Sequence, residues 1–333
     1  MKIFGYDMDL SEPSRVKVFL VDNAGQQTDV TNKVTNPTHY LMTLNVSPGS
    51  GVQFQSNSDK LVLRWGATLL SSIGVARDRA PFTASVSVNA VGPSDAPTVT
   101  ATAPDGSRLV GGGCHSEWQG PGQLLTASYP SGNSWVCAAK AHAVMDLAGL
   151  TAYVIYVPSS LNVEVDVATG SGGPPSDQQN AKATVRAGFT VIGGGCQTSW
   201  KKPEPGNLLV NSYPVSDGWI CSSKAHSVSS PASLTSYVIG VRSPDFTVGA
   251  GEPVTGPSRT NVRNTSSSTL PGGQGLGLVG GGCKINYGGA GQLLTASYPD
   301  LPHNQWMCES KDHQVQDPST VTSYSLGLKP NRF

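Results

Sequence analysis

Three cysteine pairs, three Lys-x-His pairs and three loop aromatics are the residues whose types and spacing could do chemistry. Cys114/Cys137, Cys196/Cys221 and Cys283/Cys308 account for every cysteine of the chain. A lysine and then a histidine follow the second cysteine at the same offsets each time: Lys140/His142, Lys224/His226 and Lys311/His313. An aromatic follows the first cysteine in polar, Gly/Pro-rich sequence: Trp118 in HSEWQGPG, Trp200 in QTSWKKPEPG and Tyr287 in KINYGGAG. Oxidised within each copy, the cysteines form short-loop disulfides worth about 3 kcal/mol each by loop entropy. Zinc is the rival, but it needs four ligands, and two cysteines and one histidine per copy do not supply them. On a strand, residues i and i+2 share a face. Lysine and histidine so placed either bind an anionic or hydroxyl-rich ligand or form a solvated polar face, with the imidazole bonded to backbone. The loop aromatics either stack on a sugar ring or close over the core of their own repeat. Together these nine residues are the candidate glycan-binding set.

No catalytic constellation accompanies them. No carboxylate pair recurs in all copies, since Asp312 stands where the other copies have Ala141 and Ala225. GxSxG and HExxH are absent. The triple glycine before each first cysteine is not a phosphate loop, because neither GxxxxGK[ST] nor a helix-opening GxGxxG surrounds it. It reads as a strand end where backbones approach closely or a bulge forms. The expectation is a protein that is not an enzyme, with no catalytic residues, no metal and no cofactor.

The elements that carry these residues repeat three times. LVGGGC, LLTASYP, WVC, AKAH and LTAYVIYV recur as VIGGGC, LLVNSYP, WIC, SKAH and LTSYVIGV, then as LVGGGC, LLTASYP, WMC, SKDH and VTSYSLGL. Such a repeat governs the architecture. Trp135, Trp219 and Trp306 alternate with the second cysteine and share its strand face, so they read as core beside the disulfide. Tyr129, Tyr213 and Tyr298 precede proline, which forces extended backbone. Tyr153, Tyr237 and Tyr324 fall in strand-like runs and read as core. Two-residue insertions before the LL of copy two and before the tryptophan of copy three fall in loop-like sequence.

Residues 1–92 lack the repeat. RVKVFLVD (15–22), HYLMTLNVS (39–47), GVQFQS (51–56), KLVLRWG (60–66) and FTASVSVNAV (82–91) read as strands, while LLSSIGVARDRA (69–80) fits a short helix as well. The layout is therefore all-β: an N-terminal antiparallel β-sandwich (1–92), then three small disulfide-pinned β modules (108–167, 188–248 and 276–333). Linkers at 93–107, 168–187 and 249–275 join them. Gly, Ser and Pro make these linkers flexible, although LNVEVDVATG (161–170) alternates well enough to add strands after the first copy.

Composition narrows the function. The chain has 22 Lys plus Arg and 22 Asp plus Glu, so no net charge directs it to nucleic acid. Only 13% of residues are charged, against roughly 25% in average domains. No apolar run spans a membrane. The N-terminal MKIFGYDMDLSEPSR is not a secretory signal, yet paired cysteines favour an oxidising compartment. A removed signal, another export route, or release from a lysed cell within a virion each reconcile the two.

The pattern GGGC…LLTASYP…WxC…KDH…TSYxIGL resembles the short Cys/Gly-rich β repeats of bacterial secreted and phage surface proteins, over the repeat region only. The resemblance implies a β fold and surface exposure and no established activity. The expected function is a non-enzymatic structural or adhesive protein of a virion surface or the extracellular space, such as a phage appendage or decoration protein with three projecting repeats. Residues 1–92 would contact other virion or surface subunits, with a homotrimer as the expected oligomer. The alternative is a secreted, multivalent, lectin-like protein that binds cell-surface glycans.

Overall fold

The computed structural model describes residues 82–331 except 121, 260–262, 273–274 and 290; nearer the N-terminus it describes 2–4, 16–21, 25–35, 41–44, 60–65 and 68–74. The chain divides into two units, Met1–Arg79 with Asn331–Phe333, and Ala80–Pro330. The fold is all-β, and the described residues contain no α-helix.

The described strands of the first unit are β1 (Lys2–Phe4), β2 (Val16–Val21), β3 (Gln27–Asp29), β4 (Val34–Thr35), β5 (Leu41–Leu44), β6 (Lys60–Trp65) and β7 (Thr68–Gly74). They form two antiparallel sheets, ordered β1-β5-β4 and β3-β2-β6-β7. The ambiguous stretch from residue 69 is strand as far as Gly74, and the run at 51–56 lies outside the described residues. The unit ends before residue 80, not at 92. The run at 82–91 enters β8 (Ser85–Ser94) of the second unit, where it pairs along the first repeat.

The second unit continues with β9 (Thr98–Thr102), β10 (Ser107–Glu117), β11 (Gln123–Ser131), β12 (Ser134–Ala141), β13 (Ala148–Pro158), β14 (Glu164–Ser171), β15 (Gln178–Thr184), β16 (Thr190–Thr198), β17 (Asn207–Val215), β18 (Gly218–Ala225) and β19 (Leu234–Arg242). It closes with β20 (Phe246–Ala250), β21 (Val254–Thr255), β22 (Asn264–Thr269), β23 (Gly277–Asn286), β24 (Gln292–Asp300), β25 (Gln305–Asp312) and β26 (Thr320–Pro330). Sheet one runs β22-β25-β24-β10-β13-β8. Sheet two runs β14-β19-β16-β11-β12-β9. Sheet three runs β15-β18-β17-β23-β26-β20, with β21 beside β26.

This topology replaces three separate modules with one interlocked body. The outer strands of copy one, β10 and β13, lie in sheet one, and its central hairpin β11–β12 lies in sheet two. Copy two places β16 and β19 in sheet two and its hairpin in sheet three. Copy three places β23 and β26 in sheet three and returns its hairpin β24–β25 to sheet one. The cycle is closed, and one continuous core contains residues of all three copies. About 50 residues bury too little surface to stand alone, and sharing strands removes that shortage.

The expected linkers are strands. Residues 93–107 carry the end of β8 and all of β9, 168–187 carry the end of β14 and all of β15, and 249–275 carry β21 and β22. Each of β9, β15 and β22 lies at the edge of a different sheet. Their inward positions are mostly small, Ala101, Ala181, Ala183, Ser266 and Ser268, with Val99, Gln179 and Asn264 as the larger ones. They alternate inside and outside without the bulk that marks a strand in sequence.

The triple glycine lies within β10, β16 and β23, not at their ends, and a register shift sits just before it in each. Its three positions have distinct neighbours. A Cβ on Gly111 would lie 2.0 Å from Val279 O, and one on Gly280 2.0 Å from Ile192 O; Gly193 approaches Val110 O at 3.3 Å. The three copies therefore meet backbone to backbone. A Cβ on Gly112, Gly194 or Gly281 would strike the indole of Trp135, Trp219 or Trp306 at 2.3, 2.3 or 2.4 Å. The third glycines, Gly113, Gly195 and Gly282, let the hairpin of the preceding copy in the cycle approach within 2.1–2.4 Å of where a Cβ would stand.

Candidate functional site

The disulfides are Cys114–Cys137, Cys196–Cys221 and Cys283–Cys308, each with Cα atoms 5.6–5.7 Å apart. Each joins two sheets, because its cysteines lie on an outer strand and the hairpin of one copy. The tryptophan beside each bridge is buried, and its Nε1 donates to the serine of the Ser-Tyr-Pro motif: Trp135 to Ser128 (3.1 Å), Trp219 to Ser212 (3.0 Å) and Trp306 to Ser297 (3.0 Å). The tyrosines read as core are instead half-buried and stack in pairs between copies. These pairs are Tyr129–Tyr237, Tyr153–Tyr298 and Tyr213–Tyr324, with centroids 5.0–5.6 Å apart. Each pair flanks a third glycine, which has no side chain to separate the rings.

The nine candidate residues gather at one end of the second unit. Lys140 Nζ donates to the Glu204 carbonyl (3.3 Å) and to that of Pro205. Lys224 Nζ donates to Gly289 O at 3.1 Å, and Lys311 Nζ to Gly120 O at 2.9 Å. Each ammonium also lies over the loop aromatic of the copy it reaches: Lys140 over Trp200 (4.8 Å), Lys224 over Tyr287 (4.0 Å) and Lys311 over Trp118 (4.0 Å). The loops are thus lids over a neighbour's lysine, a role that neither sequence reading gave them.

The Lys-x-His pairs are not an outward polar face. The lysines are only 4–6% exposed and the histidines are fully buried. Burial pushes each of Lys140, Lys224 and Lys311 down to about 8, against opposing carboxylates at Asp95, at Asp317, and at Asp146 and Asp312 respectively. The three imidazoles meet edge to face, with centroids 5.1–5.3 Å apart. The ring nitrogens of His142 lie 2.8 Å from Pro205 O and 2.7 Å from His226 O. No group of side chains among the described residues has the arrangement of a metal site.

Beyond each histidine the chain turns sharply. The amide of Val144 donates to His142 O, that of Val228 to His226 O and that of Val315 to His313 O, at 2.6–2.7 Å. The residues between, Ala143, Ser227 and Gln314, have φ of 57–60°, so each is a γ-turn in a conformation strained for a side chain. Val144, Val228 and Val315 stand exposed beside them, with Met145 and Leu147. Sequence reasoning missed this rim, since the glycine that usually marks a positive φ is absent. It also missed the residues that tie the loops down. Asp146 and Asp317 accept from Gly122 N (2.6 Å) and Gln292 N (3.2 Å), and Ser230 accepts from Gly206 N (3.1 Å).

A cleft among the described residues lies at this end, beside Trp200. Trp200, Lys202, Pro203 and Glu204 form one wall and Asp95 and Ala96 another, with Lys140, Val144 and Met145 also lining it; its volume is ≈ 230 Å³. Lys202 Nζ reaches Asp95 at 2.7 Å, and this bond holds the Asp95 carboxyl below the usual carboxylate range. No family model and no curated protein sequence matches the chain.

Proposed function

We propose that this chain is a non-enzymatic surface protein, most concretely a phage appendage or decoration protein, in which the first unit attaches and the second presents its looped end. The observation that carries the reading is the closed ring of copies. Three disulfides join the sheets and three buried lysines join the loops, giving a body suited to persist outside the cell. The resemblance of its repeats to those of phage surface and bacterial secreted proteins supports it further. The chain enters this body near Phe82 and leaves at Pro330; β8 begins opposite Tyr156, and Pro330 pairs with Phe246, at the end away from the histidines.

Co-sedimentation tests this. Full-length protein and a fragment of residues 80–333 are mixed with purified particles. Binding by the full chain and none by the fragment supports attachment through the first unit. Equal binding by both removes that division of labour. A second reading, carbohydrate binding, is favoured by the clustering of Trp118, Trp200 and Tyr287 at one end. Agglutination of cells by the isolated protein distinguishes it.

A further inference from the structure

We infer that the cleft beside Trp200 is a binding site for a single pyranose ring, and that the chain has one such site, not three. The inference rests on the adhesive reading and names the ligand class it would use.

The site is made by the two-residue insertion of copy two. In copies one and three the aromatic is followed by QGPG and GGAG, which offer few side chains to build a wall. In copy two it is followed by KKPEPG, and Lys202 spans to Asp95 while Pro203 and Glu204 line the opening. Trp118 lies against two cations, Lys311 at 4.0 Å and Arg263 at 4.8 Å, where Trp200 has Lys140 alone, at 4.8 Å. Tyr287 is 40% exposed and is followed by Gly288 and Gly289, which carry no side chains to build a wall like that of copy two.

The chemistry of the lining fits a sugar. A pyranose has an apolar C–H face that packs on an aromatic ring and a rim of hydroxyls that both donate and accept. Here an indole adjoins Ala96, Val144 and Met145, and the lining also holds the carboxylates of Asp95 and Glu204 and the ammoniums of Lys140 and Lys202. Trp200 Nε1 already donates to Glu204 O at 2.8 Å, which fixes the ring for stacking. The cleft volume, ≈ 230 Å³, is below the ~300–1,000 Å³ of pockets for drug-sized ligands, so one ring fits better than a chain.

The test uses the full chain and methyl glycosides of the common hexoses and N-acetylhexosamines. Indole N–H resonances of nitrogen-labelled protein report each tryptophan separately. At least one glycoside is expected to shift the Trp200 signal saturably while the Trp118 signal stays in place. Lys202→Ala and Asp95→Asn, which leave Trp200 in place, should each weaken that binding by about tenfold, or about 1.4 kcal/mol. Trp200→Phe should retain part of it, and Trp200→Ala should abolish it with the fold checked by melting. Absence of a saturable shift with every glycoside overturns the proposal, as does unchanged affinity in Lys202→Ala. Parallel shifts of Trp200 and Trp118 refute the single site and leave three-site adhesion standing. Particle binding is scored separately, so loss of the sugar site does not count against the surface-protein reading.

Discussion

Lys311 donates a hydrogen bond to the carbonyl of Gly120, 191 positions earlier in the chain and 2.9 Å away. That bond closes a ring. Copy one reaches copy two through Lys140, copy two reaches copy three through Lys224, and copy three reaches back to copy one. A buried ammonium is tolerable only when paired or hydrogen-bonded. Here carbonyl oxygens and an aromatic face serve each one, so the polar groups specify which loop sits beside which copy.

Closure makes the second unit cooperate. Replacing one bridge by Cys196→Ala/Cys221→Ala should cost about 3 kcal/mol. In a unit of this size that lowers the melting temperature by roughly 6–12 °C. Calorimetry should show one transition for Ala80–Pro330, shifted as a whole. Two transitions, with copies one and three melting as before, would show that the copies have separate cores.

The second glycine of each triple is a packing requirement. Gly112→Ala places a methyl 2.3 Å from Trp135 and 2.5 Å from Tyr153 O. Overpacking of this kind costs about 1–3 kcal/mol or more. Gly92→Ala, with nothing within 4 Å of its Cβ, should remain within about 0.5 kcal/mol of the parent. Chemical denaturation of both variants checks the contrast, and equal midpoints would remove the tryptophan clash.

The buried lysines should give an unusual alkaline profile. In the folded chain each titrates at about 8 because burial disfavours the ammonium, whereas an unfolded lysine titrates at about 10.4. Between those values the unfolded chain binds more protons, so stability should rise with pH. Tyr298, pushed up to about 12 mainly by burial and then by Glu309, has the opposite sign above about 10. Melting temperature should climb from about pH 8 to a maximum near pH 10 and then fall. Lys140→Met should flatten the rise, and a steady decline from pH 8 in the parent would contradict it.

Trp118 should prove structural. Its ring faces both Lys311 and Arg263, and cation–π contacts are worth about 0.5–2 kcal/mol each. Trp118→Ala should therefore lower the melting temperature, and Trp118→Phe should restore part of it. A Trp118→Ala variant that melts like the parent and loses agglutination would instead make this ring a ligand contact.

Much of this was legible in the chain. Six cysteines at matched offsets, a tryptophan in step with the second of each pair, and runs of Val, Thr and Tyr determine a β fold with a repeated, bridged core. Those are properties of types and periods, which sequence carries directly. The partner of each element was not legible. LLTASYP pairs equally well with strands of its own copy or another, because the three copies repeat the same strand motifs. Only packing decides, by placing β11–β12 in sheet two while β10 stays in sheet one. The same ambiguity hid the role of Lys140 and His142. Their offset puts them on one face, but whether that face meets water or another copy depends on closure of the ring. The edge strands β9, β15 and β22 escaped notice because Ala and Ser hold most of their inward positions, and small side chains suffice only where a second sheet is already close.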